Sequence, residues 1–359
     1  MTRSMPCVVR SRDTHTTARC AVCWTSRRLP RFMRAAAGVG FALLVAGCAT
    51  KGFDLQGHRG ARGLAPENTL PAFATALTLG VTTLELDVGI TKDEAIVVSH
   101  DPYLNPDIVR GPDGAWLKEK GPPIRSLTFA ELSRYDFGRI NPESRYAKTQ
   151  ADQKPVDGTR MPRLAEVFAL ARRAGNHSMR FNIETKLSPL EPAQTLPPNE
   201  FAERLLAVIY ADGMAQQVTI QSFDWRTLQR VQALAPEIPT VYLSAQQKFF
   251  DNILADKPEG SPWVAGFQAK DHGGSVPGMV KAAGGRIWSP YFGDVDAKKI
   301  EEAHALGLDV VVWTVNKPED IERLLDLKVD GIISDRPDFV RVAMAKREMR
   351  LPRPTPVTP

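Results

Sequence analysis

The residues of this chain best suited to chemistry fall in four short stretches that lie far apart in sequence. The first is Gly57-His58-Arg59-Gly60, followed by Gly63 and by Pro66-Glu67-Asn68-Thr69. Closely spaced glycines let backbone approach a ligand, and His58 beside Arg59 puts a titratable ring next to a permanent, fork-shaped cation suited to phosphate oxygens. Alone, the pattern equally describes a turn with a surface arginine, and Asn68-Thr69 equally describes the N-cap of a following helix. The second stretch is Glu85-Leu86-Asp87, where strand periodicity turns both carboxylates to one face and Leu84, Leu86 and Val88 to the other. Two acids pointing the same way repel and favour a cation between them; oxygen-only ligands suit a hard divalent ion, Ca²⁺ or Mg²⁺, rather than zinc. The third, Asn182-Ile183-Glu184-Thr185-Lys186, repeats the alternation. Glu184 can complete a three-carboxylate site there, and Lys186 can neutralise surplus acid or reach a phosphate oxygen. Ser99-His100-Asp101-Pro102 is the fourth and places a second histidine just past a strand end.

Other histidines are less apt. His177 precedes a strand, His304 lies within a helical stretch, and His272 sits in the loop Asp271-His272-Gly273-Gly274, where a substrate contact competes with a bland surface role. Cys7, Cys20 and Cys23 all precede residue 48, so the body carries only Cys48 and can form no internal disulfide.

These side chains need elements that bring them together. From residue 53 the chain alternates short apolar or β-branched runs with stretches of helical period, the pattern of parallel βα units. Strands are predicted at Asp54–Gly57, Thr83–Val88, Arg180–Lys186, Val218–Ser222, Thr240–Leu243, Arg286–Ser289, Val310–Val315 and Gly331–Ser334. Helices are predicted at Leu70–Leu79, Leu164–Ala174, Phe201–Ala211, Trp225–Leu234, Ala297–Leu306 and Pro318–Asp326. Eight such units point to an α/β fold, a closed (β/α)8 TIM barrel, with a doubly wound open sheet as the runner-up. A further strand, Ala95–Ser99, follows too closely for a parallel crossover and must fold back as a hairpin. It opens an insertion over about 89–160, in which Thr128-Phe129-Ala130-Glu131 has the form of a capping box.

The 359-residue chain carries a formal charge of +5 and a pI near 9.0. That excess is local: eight of the 46 basic residues and one of the 41 acidic ones lie in residues 1–47, leaving 38 against 40 beyond. A near-neutral body argues against nucleic acid as a partner. Arginines up to Arg34, an apolar stretch from Ala35 to Gly47 and then Val45-Ala46-Gly47-Cys48 read as a lipoprotein-type export signal. The expectation is an exported protein held on the periplasmic side of a membrane through lipidated Cys48. The domain proper then runs over 48–350, and the proline-rich 351–359 reads as a disordered tail.

Taken in order, Gly57-His58-Arg59-Gly60, Pro66-Glu67-Asn68-Thr69, Glu85-Leu86-Asp87, Thr91-Lys92-Asp93, Ser99-His100-Asp101, Ile183-Glu184-Thr185-Lys186, Val312-Trp313-Thr314-Val315-Asn316 and Ile333-Ser334-Asp335-Arg336-Pro337 resemble the glycerophosphodiester phosphodiesterase family. The resemblance spans residues 53 to about 345. It implies a TIM barrel with a small insertion after the second strand. It also implies metal-dependent hydrolysis of small glycerophosphodiesters, such as glycerophosphocholine, to sn-glycerol 3-phosphate and an alcohol. By that resemblance His58 and His100 are catalytic, Glu85, Asp87 and Glu184 hold the divalent metal, and Arg59 binds phosphate. Lys186 and Trp313 match pocket positions, and Asn68 joins them as a candidate substrate contact. Two rivals follow from the same residues: a related phospholipase D-like barrel acting on lysophospholipid, and a non-catalytic lipoprotein that captures glycerophosphodiesters. Two histidines flanking a metal site argue against simple capture.

Overall fold

The computed structural model describes residues 52–359, so the leader and Cys48 lie outside the described residues. Eleven strands occur in chain order: β1 (Asp54–Gly57), β2 (Thr83–Ile90), β3 (Ile96–Val98), β4 (Arg180–Thr185), β5 (Val218–Ser222), β6 (Thr240–Ser244), β7 (Gln246–Gln247), β8 (Phe250–Asp251), β9 (Ile287–Pro290), β10 (Asp309–Val312) and β11 (Gly331–Ser334). Leaving aside β3 and the short β7–β8 hairpin, the strands are parallel, and β1 pairs with both β11 and β2 to close the sheet. The fold is a (β/α)8 barrel and not the open sheet. Closure gives each of the eight barrel strands a neighbour on both sides and removes the barrel's edges.

Local sequence explains the elements. The helix Leu70–Leu79 starts where the Thr69 side chain accepts the Ala72 amide and stops at Gly80, whose φ of 86° favours glycine. It buries Phe73, Ala76 and Leu77 against the barrel. Around it, one continuous apolar core joins the outer face of the strands to the inner faces of the helices. β10 ends at Val312 rather than Val315, although Val315 still donates its amide to the Ile333 carbonyl at 3.0 Å, and the Trp313 indole Nε1 donates to the Ser289 carbonyl at 2.9 Å. Helices at Val276–Ala282 and Pro337–Lys346 escape the sequence reading; each carries proline in its first turn, and the former also an interior Gly278.

β3 folds back on β2 in antiparallel register, Val88 opposite Val98, as the short spacing requires. The insertion that follows has a small core of its own, made by Val97, Leu104, Val109, Ile124, Leu132 and Met161. Thr128 and Glu131 form the expected capping box.

The segment 351–359 is not disordered. Thr355 donates its amide to the Leu77 carbonyl at 2.8 Å, Arg341 Nη1 donates to the Pro352 carbonyl at 2.9 Å, and Asn176 Nδ2 donates to Thr355 Oγ1 at 3.2 Å. Val357 packs on the core. Prolines keep the strap extended and lower the entropy lost on docking, which composition alone could not show without knowing the partners. Leu77 and Asn176 lie just before β2 and β4, so the strap crosses the N-terminal end of the barrel, the end associated with stability. Among the described residues no helix is long and apolar enough to cross a membrane. Ending the chain after Arg350 is expected to lower the melting midpoint by about 2–4 °C, the loss of one or two hydrogen bonds and a small apolar contact; a thermal melt of the truncated protein checks this.

Candidate active site

The four chemical stretches converge at the C-terminal ends of the strands, where barrels of this kind place their sites. β1 delivers His58 and Arg59, β2 delivers Glu85 and Asp87, β4 delivers Glu184 with Lys186 just beyond it, and the insertion brings His100. His58, Arg59, Glu85, His100, Glu184, Lys186 and Trp313 all line one cavity of about 130 Å³, together with Arg62, Gln221 and Phe223.

A turn after β1 makes this convergence possible. Arg59 and Asn68 adopt left-handed backbone, with φ of 50° and 56°. A Cβ at Gly57 would collide with the Gly60 carbonyl, so glycine is required there. The tight turn lets the Arg59 amide donate to Glu85 Oε2 at 2.8 Å. Its guanidinium reaches Glu67 Oε1 at 2.6 Å and Asp87 Oδ2 at 3.3 Å.

Glu85, Asp87 and Glu184 offer carboxylate oxygens that all lie within 4.8 Å of one another. Every one of them is buried. Gln221 Nε2 donates to Glu85 Oε1 at 2.7 Å, Asn68 Nδ2 donates to Asp87 Oδ2 at 2.9 Å, and Lys186 Nζ sits 2.6 Å from Glu184 Oε1. Asp87 Oδ1 is buried with no hydrogen-bond partner. Crowding shows in the acidities. Burial and then the neighbouring Asp87 push Glu85 well up, and burial and Asp87 push Glu184 up to about 7 despite Lys186. Burial would raise Asp87 too, but Lys186, His100 and Arg59 outweigh it and hold Asp87 low. An orphaned buried oxygen inside an all-oxygen donor set is the environment a hard divalent cation would complete, so the residues fit such an ion.

The two histidines are held in the same way. His58 Nδ1 lies 2.6 Å from Asp335 Oδ1, and His100 Nδ1 lies 3.0 Å from Asp101 Oδ1. Each carboxylate favours the tautomer protonated at Nδ1 and leaves Nε2 as the free nitrogen. His58 Nε2 stands 3.9 Å from Glu85 Oε2, beside the acidic cluster. Burial and then the Arg62 charge lower His58 to about 4; burial and then Arg59 lower His100.

Asn68 donates its side-chain amide to Asp87 and, with Glu67 and His100, lines a neighbouring cavity rather than this one. Several contributors had no assigned role in the sequence. Asp335 is gripped by Arg62 Nε and Nη2, both at 2.8 Å. Tyr146, from the insertion, bonds to Glu67 and accepts from Arg62. Asp335 stood within a quoted motif, just past the last strand, and that position was its only signal.

The sequence profile of the glycerophosphoryl diester phosphodiesterase family matches residues 58–339. The chain belongs to this family. A glycerophosphodiester phosphodiesterase of Caldanaerobacter subterraneus subsp. tengcongensis is 27% identical over 281 residues, covering 78% of this chain and 93% of that one. The crystal structure of a protein from Silicibacter pomeroyi classed with the glycerophosphoryl diester phosphodiesterases superposes with a TM-score of 0.74 at 33% identity, covering 84% of this chain and 95% of the other. An Oleispira antarctica phosphodiesterase, solved with its product sn-glycerol 3-phosphate, shares the fold at a TM-score of 0.60 and 21% identity, covering 81% and 96%. The chemistry of a family glycerophosphodiester phosphodiesterase is hydrolysis of a phosphoric diester, and the site has the acids and bases for it.

Because burial and Asp87 hold both Glu85 and Glu184 up, an entering cation must displace protons as the pH falls. Divalent-ion affinity measured by calorimetry is expected to weaken by at least about tenfold from pH 8 to pH 6, and Glu184→Gln is expected to make that dependence shallower.

Proposed function

We propose that the protein hydrolyses glycerophosphodiesters such as glycerophosphocholine and glycerophosphoethanolamine to sn-glycerol 3-phosphate and an alcohol. In this reading His58 and His100 form the acid–base pair, and Glu85, Asp87 and Glu184 hold Ca²⁺ or Mg²⁺. What supports it most is that two Asp-bound imidazoles line one cavity with a three-carboxylate cluster.

A phosphodiester is anionic, and its cleavage requires a deprotonated nucleophile, charge neutralisation on the phosphoryl oxygens and a proton for the leaving oxygen. Glu85, Asp87 and Glu184 would hold a divalent ion, which would supply Lewis acidity and charge neutralisation to the phosphodiester. Arg59, Arg62 and Lys186 supply fixed positive charge along the same wall. Asp335 and Asp101 orient the imidazoles so that each presents Nε2 to the cavity. With both rings neutral near pH 7, one is ready to accept the nucleophile's proton. The other must gain a proton, and an anionic substrate beside it favours this by raising its lowered pKa. Buried Asp335, clamped by Arg62, keeps its charge throughout and stabilises the His58 imidazolium as it forms.

Export and lipid attachment at Cys48 belong to the same proposal, supported by the basic, then apolar leader. Replacing Cys48 by Ala is expected to move the protein from the membrane to the soluble fraction, as read by fractionation. His58→Ala and His100→Ala are each expected to lower kcat on glycerophosphocholine by about 10²–10⁴. EDTA is expected to abolish turnover of the wild type, with Ca²⁺ or Mg²⁺ restoring it. A double histidine variant that matched the wild type would overturn the acid–base assignment.

A further inference from the structure

The cavity has two unlike walls. One is ionic, with the histidines, arginines, Lys186 and the acids; the other is apolar, with Phe223, Leu243, Trp313 and Ile333. The apolar wall does not stop at the cavity. Trp313 is locked by its bond to the Ser289 carbonyl at 2.9 Å and by the edge of Phe223, with centroids 5.3 Å apart. From Trp313 the Tyr291 ring follows at 5.6 Å, and Phe249 follows Tyr291 at 5.3 Å. These rings form a strip that leads from the reacting centre to the rim.

Phe249 is 66% exposed, so the core does not account for it. It sits in the turn of the β7–β8 hairpin, and that hairpin is fastened down. The Gln246 amide donates to Asp294 Oδ2 at 2.9 Å and Gln247 Nε2 donates to Asp294 Oδ1 at 2.6 Å. At its base the Ala245 amide donates to Asn252 Oδ1 at 2.8 Å. A firmly held hairpin presenting a bare ring beside a cavity is a feature that folding does not require.

We propose that Trp313, Tyr291 and Phe249 form the subsite of the departing alcohol and select alcohols that carry a quaternary ammonium group. This rests on the phosphodiesterase reading above. The phosphate and glycerol belong with the ionic wall, which leaves the aromatic strip for the other alcohol. A cation lying within about 6 Å of an aromatic centroid is attracted by the ring's negative face. Charge runs the same way. Lys186 stands 6.0 Å from Phe223, at the inner end that belongs to the phosphate. At the outer end Asp294 adjoins Tyr291 through its own amide, at 2.9 Å from the Tyr291 carbonyl. After burial, Asp294 and Asp320 push the Tyr291 phenol up, so two carboxylates lie near that ring, while Lys248 precedes Phe249 in the hairpin turn. Lys299 bonds the Asp294 carbonyl and leaves its carboxylate to the hairpin.

The test compares kcat/KM for three esters of glycerol phosphate, with added divalent ion: the choline ester, its neutral 3,3-dimethylbutyl isostere and the glycerol ester. Wild type is expected to favour choline over the isostere by about tenfold. Phe249→Leu and Tyr291→Leu keep apolar volume but remove the π face, and are expected to shrink that ratio to about two, through KM. Phe249 is exposed enough for its variant to fold, which a melt confirms. A ratio near one in the wild type overturns the subsite, as does an undiminished ratio in both variants, which would mark the strip as a plain apolar surface. Failure to hydrolyse any of the three would sink the phosphodiesterase reading itself, an outcome distinct from a flat ratio.

Discussion

Three buried carboxylates within 4.8 Å of one another are the constraint around which this molecule is arranged. Such a cluster repels itself and loses hydration, so its neighbours must offset both effects. Arg59 leans on Asp87, Lys186 on Glu184, and Gln221 and Asn68 fill lone pairs on Glu85 and Asp87. The offset is incomplete, since Asp87 Oδ1 keeps no hydrogen bond. Lys186 Nζ stands 3.7 Å from that oxygen, too far for a hydrogen bond, so the all-oxygen cluster keeps a donor atom that a divalent cation could take up. A closed barrel suits the task because β2 and β4 are hydrogen-bonded neighbours in fixed register, with Asp87 opposite Glu184.

The acid–base pair is divided between two structural units. His58 stands on the barrel and is braced by Asp335 from the last strand, so it moves only if the barrel does. His100 stands at the start of the insertion, braced by Asp101 and, through it, by Asn105. The insertion rests on its own small core. It reaches back to the barrel site through Tyr146 and Gln150, which touch Glu67, Arg62 and Asp335. The opposite end of the barrel carries no such division. There the C-terminal strap ties helix ends together and serves the fold alone.

Much of this was legible in the residues. Periodicity placed the barrel strands within a few residues, since alternation and apolar runs are local signals of burial. β1, β5 and β11 match their expected bounds, and the hairpin of β3 follows from spacing alone. The same periodicity put Glu85 with Asp87 on one face of their strand and Glu184 with Lys186 on one face of theirs, and the structure turns both faces into one cluster. Asn68 adds a contact the sequence did not show: its backbone is left-handed, and its side-chain amide donates to Asp87.

What the amino-acid order determined by itself was the set of elements and the chemical character of each site residue, because both depend on neighbours a few positions away. Partnerships between distant residues were decided only by the tertiary structure. Asp335 finds His58 where the last strand closes against the first, Phe249 joins Tyr291 and Trp313 from separate loops, and a proline-rich tail that composition marks as free is docked by Leu77 and Asn176. The physical reason is that hydrogen bonds, ring contacts and charge neutralisation act over a few ångströms of space, and closing the barrel brings together residues that the chain keeps far apart.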